Sequence, residues 1–377
     1  MGILQGVAQK LWTGFWYTRA QCLKNEKELL DNLLKDTGLL WTGRDTVVQN
    51  VRTTSSDPAA DVVRSVSVYS ESHSAGGVDL VCVHGFGQSG AGCFYPSLAG
   101  WASLGLGMVH LVDWRGAGLS SRPTEPFAPR NEVEAIEYLV DGLDAWRKER
   151  LGENARMCLL GHSMGAIVAV NYAARHPDHV RHLILAGPAA VRVTDPKRVE
   201  AFLERAGTAR RFIYNVASKA WNAGVTPQMI LRSLPFDLPK RIHTGYIRNR
   251  WGAEKTLDAA TFEALCEYNA GITMMKGVSE KVVSLILKPI GQARTPLEET
   301  LEDVPAKVPV TFVYGEHDWM SPASGVYVAK KMREEGGRDN VQCVILPKAG
   351  HYPFIDQPEM VHDIVKEAWE ACLDDTR

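Results

Sequence analysis

Met157-Cys158-Leu159-Leu160-Gly161-His162-Ser163-Met164-Gly165-Ala166-Ile167-Val168-Ala169-Val170 is the stretch from which the fold is read. A short apolar run leads into a G-x-S-x-G pentapeptide, Gly161 to Gly165, and then into a small-residue helix over Ala166 to Ala174. A serine caught between strand and helix must sit on a sharp, strained turn. Glycines two before and two after it remove side chains that would strike the neighbouring strand and helix. A hydroxyl presented in this way is a candidate nucleophile, so Ser163 is the first candidate catalytic residue.

Outward from that turn, short β-rich runs alternate with helical patterns. Candidate strands are Val66 to Tyr69, Leu80 to Val83, Met108 to Val112, Cys158 to Leu160, Leu183 to Leu185, Val310 to Tyr314 and Val341 to Leu346. Several are continuous in Val, Leu and Ile, as strands covered on both faces are. Val133 to Trp146 carries a helical apolar stripe, and Glu359 to Leu373 closes the chain with another. This is the pattern of an α/β protein with a mostly parallel central sheet and helices on both faces. Between Leu185 and Val308 the alternation stops and the sequence turns helical, broken by Pro188, Pro235, Pro239, Pro289 and Pro296. The expected organisation is therefore an N-terminal helical segment over 1–60, core over 61–189, a helical cap over 190–305, and core again over 306–377.

A serine hydroxyl needs a base, and the base needs an orienting acid. With the nucleophile on a strand-to-helix turn, the chain order is serine, acid, histidine, with acid and histidine after late strands. Gly315-Glu316-His317-Asp318-Trp319 follows the strand ending at Tyr314, and Pro347-Lys348-Ala349-Gly350-His351 follows the last strand. Asp318 and His351 are the expected partners, with Glu316 the competing acid. Attack on an ester carbonyl creates an oxyanion that needs preorganised amides. The amide of Phe86, in His84-Gly85-Phe86-Gly87, and the amide of Met164 are the candidates; Gly85 and Gly87 permit close backbone approach. This chemistry requires no metal and no organic cofactor. His176, His179 and His182 superficially suggest a metal cluster, but they straddle a helix end and a strand start without completing a ligand set.

Composition narrows the partners. A formal net charge of −2 gives no field that would gather nucleic acid. The seven cysteines are scattered singly, without zinc spacing, as in a reducing compartment. Over residues 1–24, Leu4, Val7, Ala8, Leu11, Trp12 and Phe15 fall at helical spacing, and Lys10, Arg19 and Lys24 precede the first acid, Glu26. Two readings stay open: an interfacial anchor on a membrane or lipid-droplet surface, and a helix packed on the protein's own core. An acid-free start also suits a mitochondrial leader. The expected location is intracellular and cytoplasmic with peripheral lipid association, or mitochondrial. No protein partner is legible.

On these residues the chain resembles the α/β-hydrolase-domain subfamily that contains the N-acyl phospholipid lysolipase, the lipid-droplet lipase coactivator and the fungal cardiolipin lipase. The resemblance rests on His84-Gly85-Phe86-Gly87, on Asp113-Trp114-Arg115-Gly116-Ala117-Gly118-Leu119-Ser120-Ser121-Arg122-Pro123, on the serine pentapeptide, on His176-Pro177-Asp178 and on Tyr314 to Trp319. It also covers His351-Tyr352-Pro353-Phe354-Ile355-Asp356, an H-x-x-x-x-D pattern linked in this subfamily to acyl transfer onto lysophospholipids. Asp356 is alternatively a cap for the helix beginning near Glu359. The resemblance implies an α/β-hydrolase fold with a helical cap and hydrolysis of glycerophospholipid or lysophospholipid acyl esters. The coactivator branch lacks the nucleophilic serine, whereas Ser163 is present here. A non-catalytic lipid-surface scaffold and a small-ester carboxylesterase are the alternatives.

Overall fold

The computed structural model describes residues 17–48, 61–73, 77–122, 129–193, 208–235, 237–275 and 279–374. The expected anchor face over Leu4 to Phe15 lies outside them.

Eight strands form one sheet: β1 (Leu39–Val47), β2 (Val62–Ser70), β3 (Asp79–Val83), β4 (Val109–Val112), β5 (Met157–His162), β6 (Val180–Ala186), β9 (Val310–Gly315) and β10 (Val341–Leu346), in the order β1-β2-β4-β3-β5-β6-β9-β10. The β1–β2 and β2–β4 pairs are antiparallel and the others parallel. Strands β7 (Leu287–Lys288) and β8 (Gln292–Ala293) make a separate two-stranded ribbon.

Alternation along each strand divides the core. In β3, Val81 and Val83 join one apolar cluster with helices Glu132–Arg150 and Met164–Arg175, while Leu80 and Cys82 join the other with helices Gly90–Ser103 and Pro358–Asp374. Helix ends carry their own start and stop chemistry. The Asn131 side chain accepts from the Glu134 amide at 2.9 Å, and Arg147, Lys148 and Arg150 occupy the last turn of that helix.

Two expectations are corrected. Residues 1–60 are not uniformly helical, because Leu39–Val47 is an edge strand paired along its whole length with β2. Most of its side chains are partly or fully exposed, so its sequence lacks the apolar continuity of the inner strands. The stretch 190–305 is likewise not all cap. Ser279–Ile286 packs on Glu132–Arg150 and Leu297–Glu302 on Met164–Arg175, burying Val282, Val283, Ile286, Leu297 and Leu301 in the first core cluster. The helices Thr208–Asn222, Pro227–Arg232, Leu238–Tyr246 and Ala259–Met274 lie between β6 and that core-packed stretch.

Helix Arg19–Leu33 packs on Ala259–Met274. Glu26, 1% exposed, bonds the Arg64 guanidinium and accepts from the Tyr268 hydroxyl at 3.2 Å. Burial pushes its carboxyl up to about 7 despite the arginine. Within residues 19–24, Cys22 is fully buried and Arg19 pairs with Asp45 at 2.7 Å, as the reading of a helix packed on the protein's own core expects, while Ala20, Gln21 and Lys24 are exposed. Among the described residues no helix is long and apolar enough to cross a membrane.

Candidate active site

Ser163 directly follows β5, with φ 54° and ψ −115°. Positive φ is strained for a residue with a Cβ, and the surroundings hold it there. Its amide donates to the Ala186 carbonyl at the end of β6 at 3.0 Å, and its carbonyl accepts from the Ala189 amide at 3.2 Å. A Cβ on Gly161 would stand 2.6 Å from the Gly165 carbonyl oxygen, and one on Gly165 would strike the Val83 and His84 carbonyls. The spacing of the pentapeptide is thus a packing requirement: helix and strand approach too closely for any side chain at either position.

Asp318 follows β9 and His351 follows β10, so both converge on Ser163 from strand ends at the same edge of the sheet. His351 Nδ1 lies 2.8 Å from Asp318 Oδ1 and its Nε2 lies 3.0 Å from Ser163 Oγ. A carboxylate only accepts, so the neutral imidazole carries its proton on Nδ1 and offers Nε2 to the serine hydroxyl. Asp318 Oδ1 also accepts from the Met320 amide at 2.8 Å. All three side chains are buried, with Trp319 beside His351 at a ring separation of 4.9 Å. Gly187, at φ 49°, backs the pair: a Cβ there would be 2.9 Å from Asp318 Oδ2. Glu316, the competing acid, is exposed and accepts from the Lys348 amide at 3.1 Å.

Gly85 and Phe86 line the same cavity as Ser163 and Met164. A Cβ on Gly85 would be 3.0 Å from His162 Nδ1 and 3.2 Å from Ser163 Cβ, and Gly87 has φ 73°. The Phe86 ring meets Trp221 of the cap edge to face at 6.1 Å. Asp356 does not cap the terminal helix. Its Oδ2 accepts from the Gly350 amide at 2.7 Å, so it braces the loop that carries His351.

Sequence reasoning passed over His162. It is 1% exposed, and its Nε2 is 2.9 Å from the His351 carbonyl oxygen. A carbonyl only accepts, so Nε2 is the donor, leaving Nδ1 to face Cys93 Sγ at 3.6 Å. Burial, with the nearby His351 adding to it, holds its pKa well below the usual histidine range. Any residue satisfies the middle of the motif, which is why no pattern marks this one. His84 is buried and stacked on Trp114, and burial lowers its pKa to about 4. Of the three clustered histidines, His179 Nδ1 faces the Ala155 carbonyl oxygen at 3.1 Å and His182 Nε2 faces Thr311 Oγ1 at 2.8 Å.

A cavity of about 410 Å³ opens on Ser163. Its walls are mostly apolar and include Trp221, Val225, Ile230, Val283 and Leu287. Among the described residues Arg250 is the only Lys, Arg, Asp or Glu lining it, and sits 3.7 Å from Asp356. The arrangement can generate a serine nucleophile beside an apolar volume suited to a hydrocarbon chain.

Residues 80–358 match the family described as alpha/beta hydrolase fold. Relatives include a probable 1-acylglycerol-3-phosphate O-acyltransferase of Oryza sativa subsp. japonica, 33% identical over 299 residues, covering 78% of this chain and 67% of the relative. A (lyso)-N-acylphosphatidylethanolamine lipase of Bos taurus is 29% identical over 297 residues, covering 78% of this chain and 79% of the relative. Both bear out the subfamily resemblance. Among solved structures, the carboxylesterase CesB of Bacillus subtilis superposes with a TM-score of 0.58 at 18% identity, covering 93% of this chain and 97% of its own. A bacterial membrane phospholipase A gives 0.57 at 20%, covering 98% and 96%. At such identities these two show the shared fold.

Proposed function

The chain belongs to the α/β-hydrolase family, and from that premise we propose that it is a serine hydrolase that cleaves acyl esters of glycerophospholipids or lysophospholipids. The observation that carries the reading is the continuous hydrogen-bonded line Ser163–His351–Asp318, at 3.0 Å and 2.8 Å, at the floor of an apolar cavity.

Ser163 Oγ attacks the ester carbonyl while His351 Nε2 takes its proton. Asp318 keeps the imidazole in the required tautomer and stabilises its charged form. The amides of Phe86 and Met164 receive the oxyanion. Collapse expels the lysolipid or glycerol oxygen, which takes the proton from His351, and leaves the acyl group on Ser163. Water, deprotonated by His351, then releases the fatty acid and restores the serine. A lysophospholipid hydroxyl entering in place of water gives acyl transfer through the same intermediate.

The lipid assignment is supported by the names of the relatives, by the apolar cavity and by the exposed surface of the cap and of the loop after β9. Phe212, Val216, Ile230, Ile242 and Trp319 are exposed by 69%, 51%, 53%, 46% and 58%, an apolar fraction that suits contact with an aggregated substrate. The test compares purified protein on long-chain lysophospholipid, on phospholipid vesicles and on a short soluble ester, each beside Ser163→Ala. Release of fatty acid from the long-chain lipids, abolished by the substitution, is expected. Preference for the short ester with no gain on vesicles overturns the lipid reading, and full activity of Ser163→Ala overturns the mechanism.

A further inference from the structure

A second cavity of about 380 Å³ adjoins the one above Ser163. Phe86, Gln88, Pro227, Tyr246 and Tyr352 line both, and the Tyr246 and Tyr352 hydroxyls stand 3.3 Å apart. The second cavity differs from the first in chemistry. Gln88, Gln228, His243, Trp251, Asn269 and Thr273 line it, and among the described residues no Lys, Arg, Asp or Glu does.

Several of these groups have no protein partner. Both amide atoms of Gln88, the Trp251 indole nitrogen, Thr273 Oγ1, His243 Nε2 and Gln228 Oε1 are buried and unbonded. Gln88, Trp251 and Thr273 are 5%, 6% and 5% exposed. A buried polar group without a partner forfeits its hydration with nothing in return, so several lining one space mark a place built for a hydrogen-bonding guest. Donors and acceptors are both present, which suits a hydroxyl, a group that gives and receives. The described lining carries no charged group to pair with an ionic one, and burial holds His243 at about 4, hence neutral near pH 7.

We propose that this cavity holds the uncharged, hydroxyl-bearing glycerol portion of a monoacylated glycerolipid, read by Gln88, Trp251 and Thr273, while the acyl chain occupies the apolar cavity over Ser163. The proposal rests on the reading of the Ser163 cavity as an acyl-ester site. It adds which neighbouring space receives the alcohol part, and therefore where a glycerol hydroxyl waits if it is to accept the acyl group. In that transfer His351 Nε2 takes the hydroxyl proton, the new C–O bond forms, the bond from Ser163 Oγ to the acyl carbon breaks, and the proton returns to Oγ.

Non-cleavable ethers separate this proposal from the hydrolase reading. Calorimetric titration of the full chain with octyl glyceryl ether and octyl methyl ether is expected to show a preference of about tenfold or more for the glyceryl compound. Gln88→Leu, Thr273→Val and Trp251→Phe should each reduce that preference by about three- to tenfold. Affinity for the methyl ether reports whether each variant remains folded. Equal binding of the two ethers by the parent protein, or an unchanged preference in all three folded variants, overturns the proposal. Loss of ester cleavage is not needed for either result, so failure of the hydrolase reading is read separately from ester turnover. A third arm, octyl glycerophosphocholine ether, identifies the source of the glycerol. Tighter binding than the glyceryl ether indicates a lysophospholipid, with its phosphate on the Arg250 side, and weaker binding a neutral monoacylglycerol; both keep the proposal.

Discussion

The imidazole of His162 donates from Nε2 to the main-chain carbonyl of His351 across 2.9 Å, so the residue before the proposed nucleophile grips the residue proposed as its base. The two rings lie 5.0 Å apart, with Tyr352 and Phe354 packed on His162 at 5.2 Å and 4.9 Å. The β5 turn and the β10 loop are therefore tied by a bond buried from water and not only by the reacting side chains. Small displacements of a base are costly to rate.

His162→Phe preserves the ring packing and removes the donor. It should lower kcat by about tenfold or more while KM stays within about twofold, since binding in the apolar cavity is left in place. His162→Gln, which keeps an N–H, should recover part of the loss. Equal kcat for all three proteins would show that the bond positions nothing.

Two acids follow β9, and the structure separates them by geometry. Asp318→Asn offers His351 an amide in place of an acceptor-only carboxylate and favours the wrong tautomer. A fall in kcat of about 10³- to 10⁴-fold is expected. Glu316→Gln, at an exposed position, should stay within about twofold. Ester hydrolysis assays of both variants decide the assignment, and the reverse order of losses would transfer the role to Glu316.

Gly165→Ala places a methyl group against the Val83 and His84 main-chain carbonyls, neither of which can swing away. Destabilisation above about 3 kcal/mol, or failure to fold, is expected in denaturant titration. Tolerance of the alanine would mean that the helix after Ser163 sits further from β3 than described.

Much of this site was legible because its chemistry is local. Gly161, Ser163 and Gly165 are bound together by one turn, and Asp318 and His351 each stand at the end of a recognisable apolar strand. Asp318 and Glu316 both follow β9, so the order of strand and loop left them in competition, and only the distance to His351 separates them. What sequence could not carry was assembled across the fold. His162 is meaningful through its distance from residue 351, and Gln88, Trp251 and Thr273 meet only because a loop after β3 and two stretches of the cap converge. Strand Leu39–Val47 escaped notice for another reason: an edge strand with much of its surface in water shows neither the apolar run nor a clean alternation.

His182 supplies a pH signature. Burial lowers its pKa from 6.5 to about 4, so the unfolded chain takes up a proton before the folded one as pH falls below 6.5. Its contribution is fully present above pH 6.5 and is lost progressively toward pH 4, amounting to about 2 kcal/mol at pH 5. Urea unfolding of His182→Gln should accordingly show a shallower decline from pH 7 to pH 5 than the parent, by on the order of 2 kcal/mol. Parallel declines would mean that His182 is hydrated in the folded state.

Residues 84–87 and Ser163 precede the cap in the chain, whereas Asp318 and His351 follow it, and all of them extend from strand ends on one edge of a single sheet. The groups proposed to react and the cap side chains that wall the cavity over them are thus written in different parts of the gene. Cap helices can be exchanged, lengthened or redecorated without moving a single reacting atom, provided that β6 and β9 still meet. A protein laid out in this manner can change its diet while keeping its teeth.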